Sequence, residues 1–153
     1  MKQVIQSFST GLTEIIDLPS PNVLPGHLLI RTSCTLVSSG TERMLVNFAK
    51  SNLFDKALQQ PDKVRQVYDK IGTDGLLPTL KAVSNKLSNP IPLGYCNVGV
   101  VVSVGDNVTG YKVGDRVVSN GPHAELVVVP HRLCSVIPHT VSDEEAVFTI
   151  LAS

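Results

Sequence analysis

The sequence predicts a mainly β fold with a helical segment in its middle. Five valines stand in the run VGVVVSV between Gly94 and Gly105, and β-branched runs of this kind favour a strand buried on both faces over a helix. Between Pro61 and Ile71, in contrast, apolar residues recur with the spacing of one helix face. A chain of 153 residues with 42% hydrophobic and 17% charged residues can bury one ordinary core, so we expect one domain.

The first zone, residues 1–37, is predicted to be β. It begins with the strand-like VIQSF and passes through the turn-rich DLPSPNVLPG. In HLLIRTSCTLV, period-two alternation places Leu28, Ile30, Thr32 and Cys34 on one face of a strand.

The second zone, residues 40–89, is predicted to be helical. In PDKVRQVYDKI, the residues Val64, Val67, Tyr68 and Ile71 follow the i, i+3, i+4, i+7 pattern, and Gly72 is the expected end of the helix. A further helix is indicated by a stripe of apolar residues: Leu76, Leu77, Leu80, Val83 and Leu87. The zone holds eight Lys or Arg against five Asp or Glu, which favours solvated helix faces over an anion-binding surface.

The third zone, residues 91–138, is predicted to form several short strands in a compact sheet or barrel. The glycines of GDNVTGYKVGD form turns, a strand restarts at Arg116, and the run LVVV is closed by Pro130. Ser142 and Glu145 then have the spacing of a capping box, which predicts a helix start. Because a helix of about three turns is marginal alone, we expect the chain to be part of a longer protein.

Composition and charge exclude several function classes. The formal net charge is zero and there is no Trp, so neither nucleic acid nor a membrane is expected as a partner. No signal-peptide pattern and no apolar run of about 20 residues is present, so a cytoplasmic location is expected. The three cysteines, Cys34, Cys96 and Cys134, are odd in number and far apart, which favours small buried residues over a disulfide framework or a zinc ribbon.

The order of three motifs resembles a known family. PxxLGYxxxGVVxxVGxxVxxxKVGDRVV, then GPHAELVVVP, then a helix opening with DEEA is similar to the GroES-like catalytic domain of medium-chain dehydrogenases. The resemblance implies a GroES-like, partly open β-barrel with a helical insertion at about residues 41–89. It also implies a following NAD(P)-binding Rossmann domain that is absent from this chain.

A narrower resemblance spans nearly the whole chain. The segments SSGTERM, KALQQPDKVRQVYDKIGTDGLLPT and LGYCNVGVV together resemble the bi-domain oxidoreductases of bacterial polysaccharide loci. In those proteins a dehydrogenase-like half precedes a half of the Gfo/Idh/MocA type. This resemblance implies a role in polysaccharide biosynthesis and a sugar-derived substrate.

Departures from the zinc-dependent relatives predict a zinc-independent protein. Ser39 stands where those relatives carry a cysteine ligand, and a neutral hydroxyl is a poor substitute for a thiolate. Their Gly-His-Glu segment is Gly94-Tyr95-Cys96 here, and their third ligand falls near Ile150 or Leu151. Only residues 119–122 occupy the place of their four-cysteine lobe, so no metal site is expected.

The resemblance also indicates the residues of a metal-free site. Thr41 matches the hydroxyl residue that relays protons in the zinc enzymes, and Tyr95 offers a phenol. Our hypothesis is that both hydrogen-bond the substrate oxygen, with Ser39, Glu42 and Cys96 in supporting positions.

The alternative is a structural role for the same residues. Tyr95 then packs its ring against the barrel, and Glu42 pairs with Arg43 or a nearby lysine. The four histidines, His27, His123, His131 and His139, are interpreted as surface or turn residues.

Cofactor binding requires residues that this chain lacks. No glycine-rich strand–turn–helix motif occurs, and Gly94-x-x-x-x-Gly99 lacks the Lys-Ser/Thr of a phosphate loop, so no cofactor-binding residue is assigned. We expect the isolated chain to bind NAD or NADP poorly and to be inactive.

Two functions are compatible with the sequence. The first is the substrate-binding part of an NAD(P)-dependent, alcohol dehydrogenase-like oxidoreductase, whose partners are a small-molecule substrate and the Rossmann domain in cis. The second is a non-catalytic GroES-like binding or assembly module. The oligomeric state is left open, and a homo-oligomer is among the allowed states.

Overall fold

The computed structural model describes residues 1–51, 61–75, 77–78, 85 and 89–151. The strands are β1 (Lys2–Gln6), β2 (Thr13–Asp17), β3 (His27–Thr35), β4 (Ile91–Pro92), β5 (Asn97–Val104), β6 (Arg116–Ser119), β7 (Leu126–Pro130) and β8 (Cys134–Val136). The α-helices are α1 (Thr41–Lys50), α2 (Pro61–Asp74) and α3 (Asp143–Ala146), and 3-10 helices cover His131–Leu133 and Val147–Leu151. The predicted strands and the first predicted helix are therefore confirmed, with boundaries shifted by a few residues.

The five-stranded sheet is antiparallel and has the order β7-β3-β5-β6-β8. Its longest strand, β3, pairs with β5 on one side and with β7 on the other, so Leu28 lies opposite both Val104 and Val129. Gly99 of β5 lies against β3 so closely that an added Cβ would be 2.2 Å from the carbonyl oxygen of Arg31. Only glycine fits this position without displacing the neighbouring strand.

The core of this sheet follows the predicted alternation. Leu28 and Ile30 of β3 are fully buried, and they cluster with Val101 of the adjacent strand β5 and Val117 of β6, the next strand of the same sheet. Burial of each such aliphatic side chain stabilises the fold by roughly 1.5–3 kcal/mol. Thr32 is only partly buried, because β3 carries irregularities in its pairing with β5 after Leu29 and after Thr32.

A second apolar cluster lies beside the first and contains Cys96, Val98, Val118, Ile137, Ala146 and Val147. All three cysteines are free thiols, of which Cys96 and Cys134 are buried and Cys34 is partly exposed. The prediction of small buried cysteines is thus confirmed for two of the three.

The capping box at the carboxyl-terminal segment is confirmed. The Ser142 hydroxyl accepts a hydrogen bond from the backbone N–H of Glu145, and the Glu145 carboxylate accepts from the backbone N–H of Ser142. The helix itself is a single α turn followed by a 3-10 segment, shorter than the predicted three turns. Arg116 of β6 forms an ion pair at 2.5 Å with Asp143, the first residue of this helix.

The chain divides into two compact units. The first contains Met1–Ile5, Ile15–Glu42 and Pro92–Ser153, and the second contains Gln6–Glu14 and Arg43–Ile91. In the second unit the rings of Phe8 and Phe48 meet edge to face at 5.7 Å.

The predicted end of α2 at Gly72 is wrong. The helix continues to Asp74, and Gly75, with φ at +90°, ends it by donating its N–H to the carbonyl of Ile71.

Two further sequence predictions concern architecture. Within the described residues the strands form one three-stranded sheet, β2-β1-β4, and the five-stranded sheet, and these do not close into a barrel. The predicted stripe from Leu76 to Leu87 lies outside the described residues except for Leu77.

In the part of the chain that is described, no helix has the length and apolar character needed to cross a membrane.

Candidate functional site

The candidate site lies where the start of α1 meets the segment between β4 and β5. Thr41 is the first residue of α1, and Glu42 closes the turn before it by donating its backbone N–H to the carbonyl of Ser38 at 3.0 Å. Gly94 has a φ of +92°, a conformation that glycine adopts readily, and it turns the chain so that Tyr95 follows directly. The site therefore combines a helix start with a glycine turn from a distant part of the sequence.

The two predicted catalytic hydroxyls are brought together. Tyr95 Oη lies 3.4 Å from Thr41 Oγ1, although 54 positions separate the residues. This separation exceeds the roughly 2.8 Å of a directly bonded hydroxyl pair. Two donors at this distance can both reach one further oxygen placed between them. The ring of Tyr95 also packs against the second apolar cluster, so the predicted structural role and the exposed hydroxyl coexist.

Glu42 makes two specific contacts. Its Oε1 accepts a hydrogen bond from the backbone N–H of Ser38 at 2.9 Å, and its Oε2 lies 2.9 Å from Nε2 of His123. The carboxylate side chain is only 8% exposed. Among the described residues, the Glu42 carboxylate therefore pairs with His123 and not with the predicted Arg43.

His123 is the residue that the sequence interpretation missed. It was expected at the surface or in a turn, and the chain does bend there, but its side chain is only 9% exposed and its ring lies against Gly94. The motif GPHAE marks this position, yet nothing local distinguishes it, because Glu42 is 81 positions away. Two other histidines match their interpretation, since His27 Nδ1 bonds the Pro25 carbonyl and His139 is exposed.

The remaining predicted residues lie at different depths. Cys96 is fully buried in the second apolar cluster, and burial, followed by the charge of Glu42, raises the pKa of its thiol. A buried thiol of raised pKa is a packing residue more than a nucleophile. Ser39 is exposed in the turn before α1.

Two glycines and the metal-ligating side chains of the described residues bear on whether a dinucleotide or a metal could bind here. Gly99 packs directly on β3 and Gly94 packs on His123, so both lie against protein on the side where a Cβ would stand. Within the described ranges, no group of three or more His, Cys, Asp or Glu side chains is placed to hold a metal ion.

A cavity of about 260 Å³ lies elsewhere in the first unit. It is lined by residues of β6, β8 and the two 3-10 helices, including Val118, Arg132, Cys134 and Ile150. None of the predicted site residues lines it. The Thr41–Tyr95 pair is therefore separate from this cavity.

Comparison with known proteins supports the broader of the two resemblances, the one to a GroES-like domain. Residues 70–139 match the alcohol dehydrogenase GroES-like domain. The human synaptic vesicle membrane protein VAT-1 homolog-like is 32% identical over 104 residues, which is 63% of this chain and 25% of that protein. The chain therefore spans about a quarter of the length of this relative.

Solved structures show the same fold. An Escherichia coli quinone oxidoreductase complexed with NADPH superimposes with a TM-score of 0.63 at 12% identity, over 96% of this chain and 36% of that chain. The quinone oxidoreductase from Coxiella burnetii gives 0.62 at 17% identity, over 96% and 40%. Residues 70–139 are thus similar to the alcohol dehydrogenase GroES-like domain, and the chain shares the fold of these quinone oxidoreductase structures.

Proposed function

We propose that this chain is the substrate-binding part of a zinc-independent, NAD(P)-dependent oxidoreductase that acts on a hydroxyl or carbonyl group. The observation that carries the proposal is the approach of the Tyr95 and Thr41 hydroxyls to 3.4 Å at the exposed edge of the first unit. The oxidoreductase class is supported by the match to the alcohol dehydrogenase GroES-like domain. A cytoplasmic location is part of the same proposal.

The residues of this chain would handle the substrate oxygen and its proton. In the reductive direction, a bound nicotinamide cofactor would supply the hydride that the carbonyl carbon accepts. The carbonyl double bond becomes a single bond, and its oxygen takes a proton from the Tyr95 hydroxyl while Thr41 donates a second hydrogen bond. The exposed Thr41 hydroxyl then links Tyr95 to solvent for return of the proton. Alcohol oxidation is the reverse of these steps.

The cofactor would be held by a separate Rossmann domain, because this chain has no glycine-rich strand–turn–helix motif. An isothermal titration of residues 1–153 with NADH and NADPH should therefore show no tight binding. Zinc independence rests on Ser39 and Tyr95 at the positions where zinc-dependent relatives carry ligands. Stoichiometric zinc that survives dialysis would contradict it.

The substrate class rests on the sequence resemblance alone. SSGTERM and LGYCNVGVV resemble the bi-domain oxidoreductases of polysaccharide loci, which favours a sugar-derived substrate. A screen of nucleotide-activated and free sugars with the protein expressed from its complete reading frame tests this. Turnover restricted to simple quinones would contradict a sugar substrate.

The catalytic roles are tested by removing single hydroxyls. In the same full-length protein, Tyr95→Phe and Thr41→Val should each lower kcat by about 10²-fold or more, the range of a positioned general acid. Tyr111→Phe is the matched control, because the Tyr111 hydroxyl bonds the carbonyls of His131 and Cys134 in the other apolar cluster. This control should keep wild-type kcat. Wild-type turnover in both site variants would remove the catalytic proposal and favour the non-catalytic module.

A further inference from the structure

The side chain of His123 joins Gly94 and Glu42, the two residues next to the hydroxyl pair. Gly94 precedes Tyr95, Glu42 follows Thr41, and the imidazole of His123 contacts both neighbours. A Cβ added to Gly94 would lie 2.7 Å from Cγ and Nδ1 of this ring. On the other edge, Nε2 lies 2.9 Å from Glu42 Oε2. The imidazole therefore bridges the two chain segments that carry Tyr95 and Thr41.

The backbone of His123 is fixed on both sides. Its N–H donates to the carbonyl of Leu93 at 2.8 Å, and its carbonyl accepts from the N–H of Val4 at 2.9 Å. The bond to Leu93 places His123 beside the residue that precedes Gly94. The side chain of His123 extends from this fixed backbone to Glu42.

Glu42 transmits the position of this ring to α1. One carboxylate oxygen bonds His123 and the other bonds the backbone N–H of Ser38, so the carboxylate is held at both ends. Thr41 lies inside the turn from Ser38 to Glu42 that these bonds close. His123 therefore fixes the second carboxylate oxygen of Glu42, the residue next to Thr41, while the bonds between Ser38 and Glu42 close the turn itself.

Packing alone does not account for a histidine at this position. Nδ1 of His123 is buried and has no hydrogen-bond partner among the described residues. A buried polar atom without a partner costs about 1–3 kcal/mol, whereas a leucine of similar size would fill the space without that cost. An ionised carboxylate accepts hydrogen bonds only, so Nε2 carries the proton and the bond to Glu42 is the contact that a leucine could not make.

We propose that His123 is a positioning residue that sets the separation of the Thr41 and Tyr95 hydroxyls through Glu42. The importance of this separation for turnover rests on the proposed function, but the positioning itself does not. His123 acts through Glu42 and Gly94 and does not itself touch the substrate oxygen.

The test compares amide side chains of two lengths. His123→Gln places its amide nitrogen where Nε2 lies and can donate to Glu42, whereas His123→Asn is one methylene shorter and falls short. His123→Leu fills the space without a donor. The first readout is the nuclear Overhauser contact between the Thr41 methyl group and the Tyr95 ring in the isotopically labelled chain. The second readout is kcat and KM, measured on the full-length protein.

We expect the contact to persist in H123Q and to be lost in H123N and H123L. In H123N, kcat should fall by about 10²-fold with a smaller change in KM, the size expected for a misplacement of about 1 Å, and H123Q should restore most of it. Retention of the contact in H123N, or its loss in H123Q, overturns the proposal. If H123L does not fold, the comparison of H123N with H123Q decides the question.

The two proposals fail in different ways. If the contact follows the expected pattern while Tyr95→Phe leaves kcat unchanged, His123 positions the pair but the pair is not catalytic. If Tyr95→Phe abolishes turnover while H123N keeps the contact, the catalytic proposal stands and the positioning role is wrong.

Discussion

Gly94→Ala should separate backbone strain from steric conflict at the candidate site. The substitution places a Cβ 2.7 Å from the backbone nitrogen and from two ring atoms of His123, in a residue whose φ is +92°. The matched control is Gly114→Ala, since Gly114 has a φ of +95° and an added Cβ would have no atom within 4 Å. Both variants carry the same conformational strain, and only one carries the clash.

The expected magnitudes follow from these two contributions. Positive φ at a residue with a Cβ costs of order 1–3 kcal/mol, and this cost is shared by both variants. Overpacking at Gly94 adds about 1–3 kcal/mol, because the hydrogen bond from His123 N–H to the Leu93 carbonyl prevents the backbone from retreating. Gly94→Ala should therefore be about 2 kcal/mol less stable than Gly114→Ala.

Urea denaturation followed by circular dichroism measures the difference. With an m-value of about 2 kcal/mol/M, the midpoint of Gly94→Ala should lie about 1 M below that of Gly114→Ala. Equal midpoints for the two variants would refute the close contact of His123 with Gly94 and the bridge built on it.

Three further predictions concern the fold around the site. Gly99→Ala should yield no folded protein, since its Cβ would lie 2.2 Å from a carbonyl oxygen of β3, and a native circular dichroism spectrum would contradict this. Burial raises the pKa of Cys134 to about 11, so its stabilising contribution is complete below the ordinary value of 9.0 and is lost as pH rises to about 11. The melting temperature of Cys134→Ala should fall less over that window than that of the wild type, and equal slopes would contradict the raised pKa. Hydrogen bonds from Ser142 lower the pKa of Glu145, so the capping contribution is present above the ordinary carboxyl pKa and is lost as pH falls through the lowered value. Ser142→Ala should lower the melting temperature by about 3 °C near neutral pH, and this difference should shrink in acid.

Elements governed by local chemistry were predictable. The alternation of Leu28 and Ile30 gives β3, the valine run gives β5, and the Ser142–Glu145 spacing gives the capping box. The end of α2 was misplaced because Gly72 and Gly75 are both acceptable helix stops in sequence, and only Gly75 takes the positive φ of a C-terminal cap.

The site was predictable only in part. Thr41 and Tyr95 were assigned from family motifs, and their approach to 3.4 Å agrees with a shared role. Cys96 was assigned a supporting position, yet it is buried in the apolar cluster, because the side chain after Tyr95 points into the core. His123 carried no local signal, since a histidine between Pro122 and Ala124 has the same pattern whether it is exposed or buried.

The sequence by itself determined the strands, the turns and the helix cap, because each depends on residues that are near neighbours in the chain. Only the tertiary structure decided which carboxylate meets which imidazole. Glu42 and His123 are 81 positions apart, and they meet because strand pairing and the turn at Gly94 bring their segments together. Contacts of this kind depend on the register of the whole sheet, which no single segment of the sequence specifies.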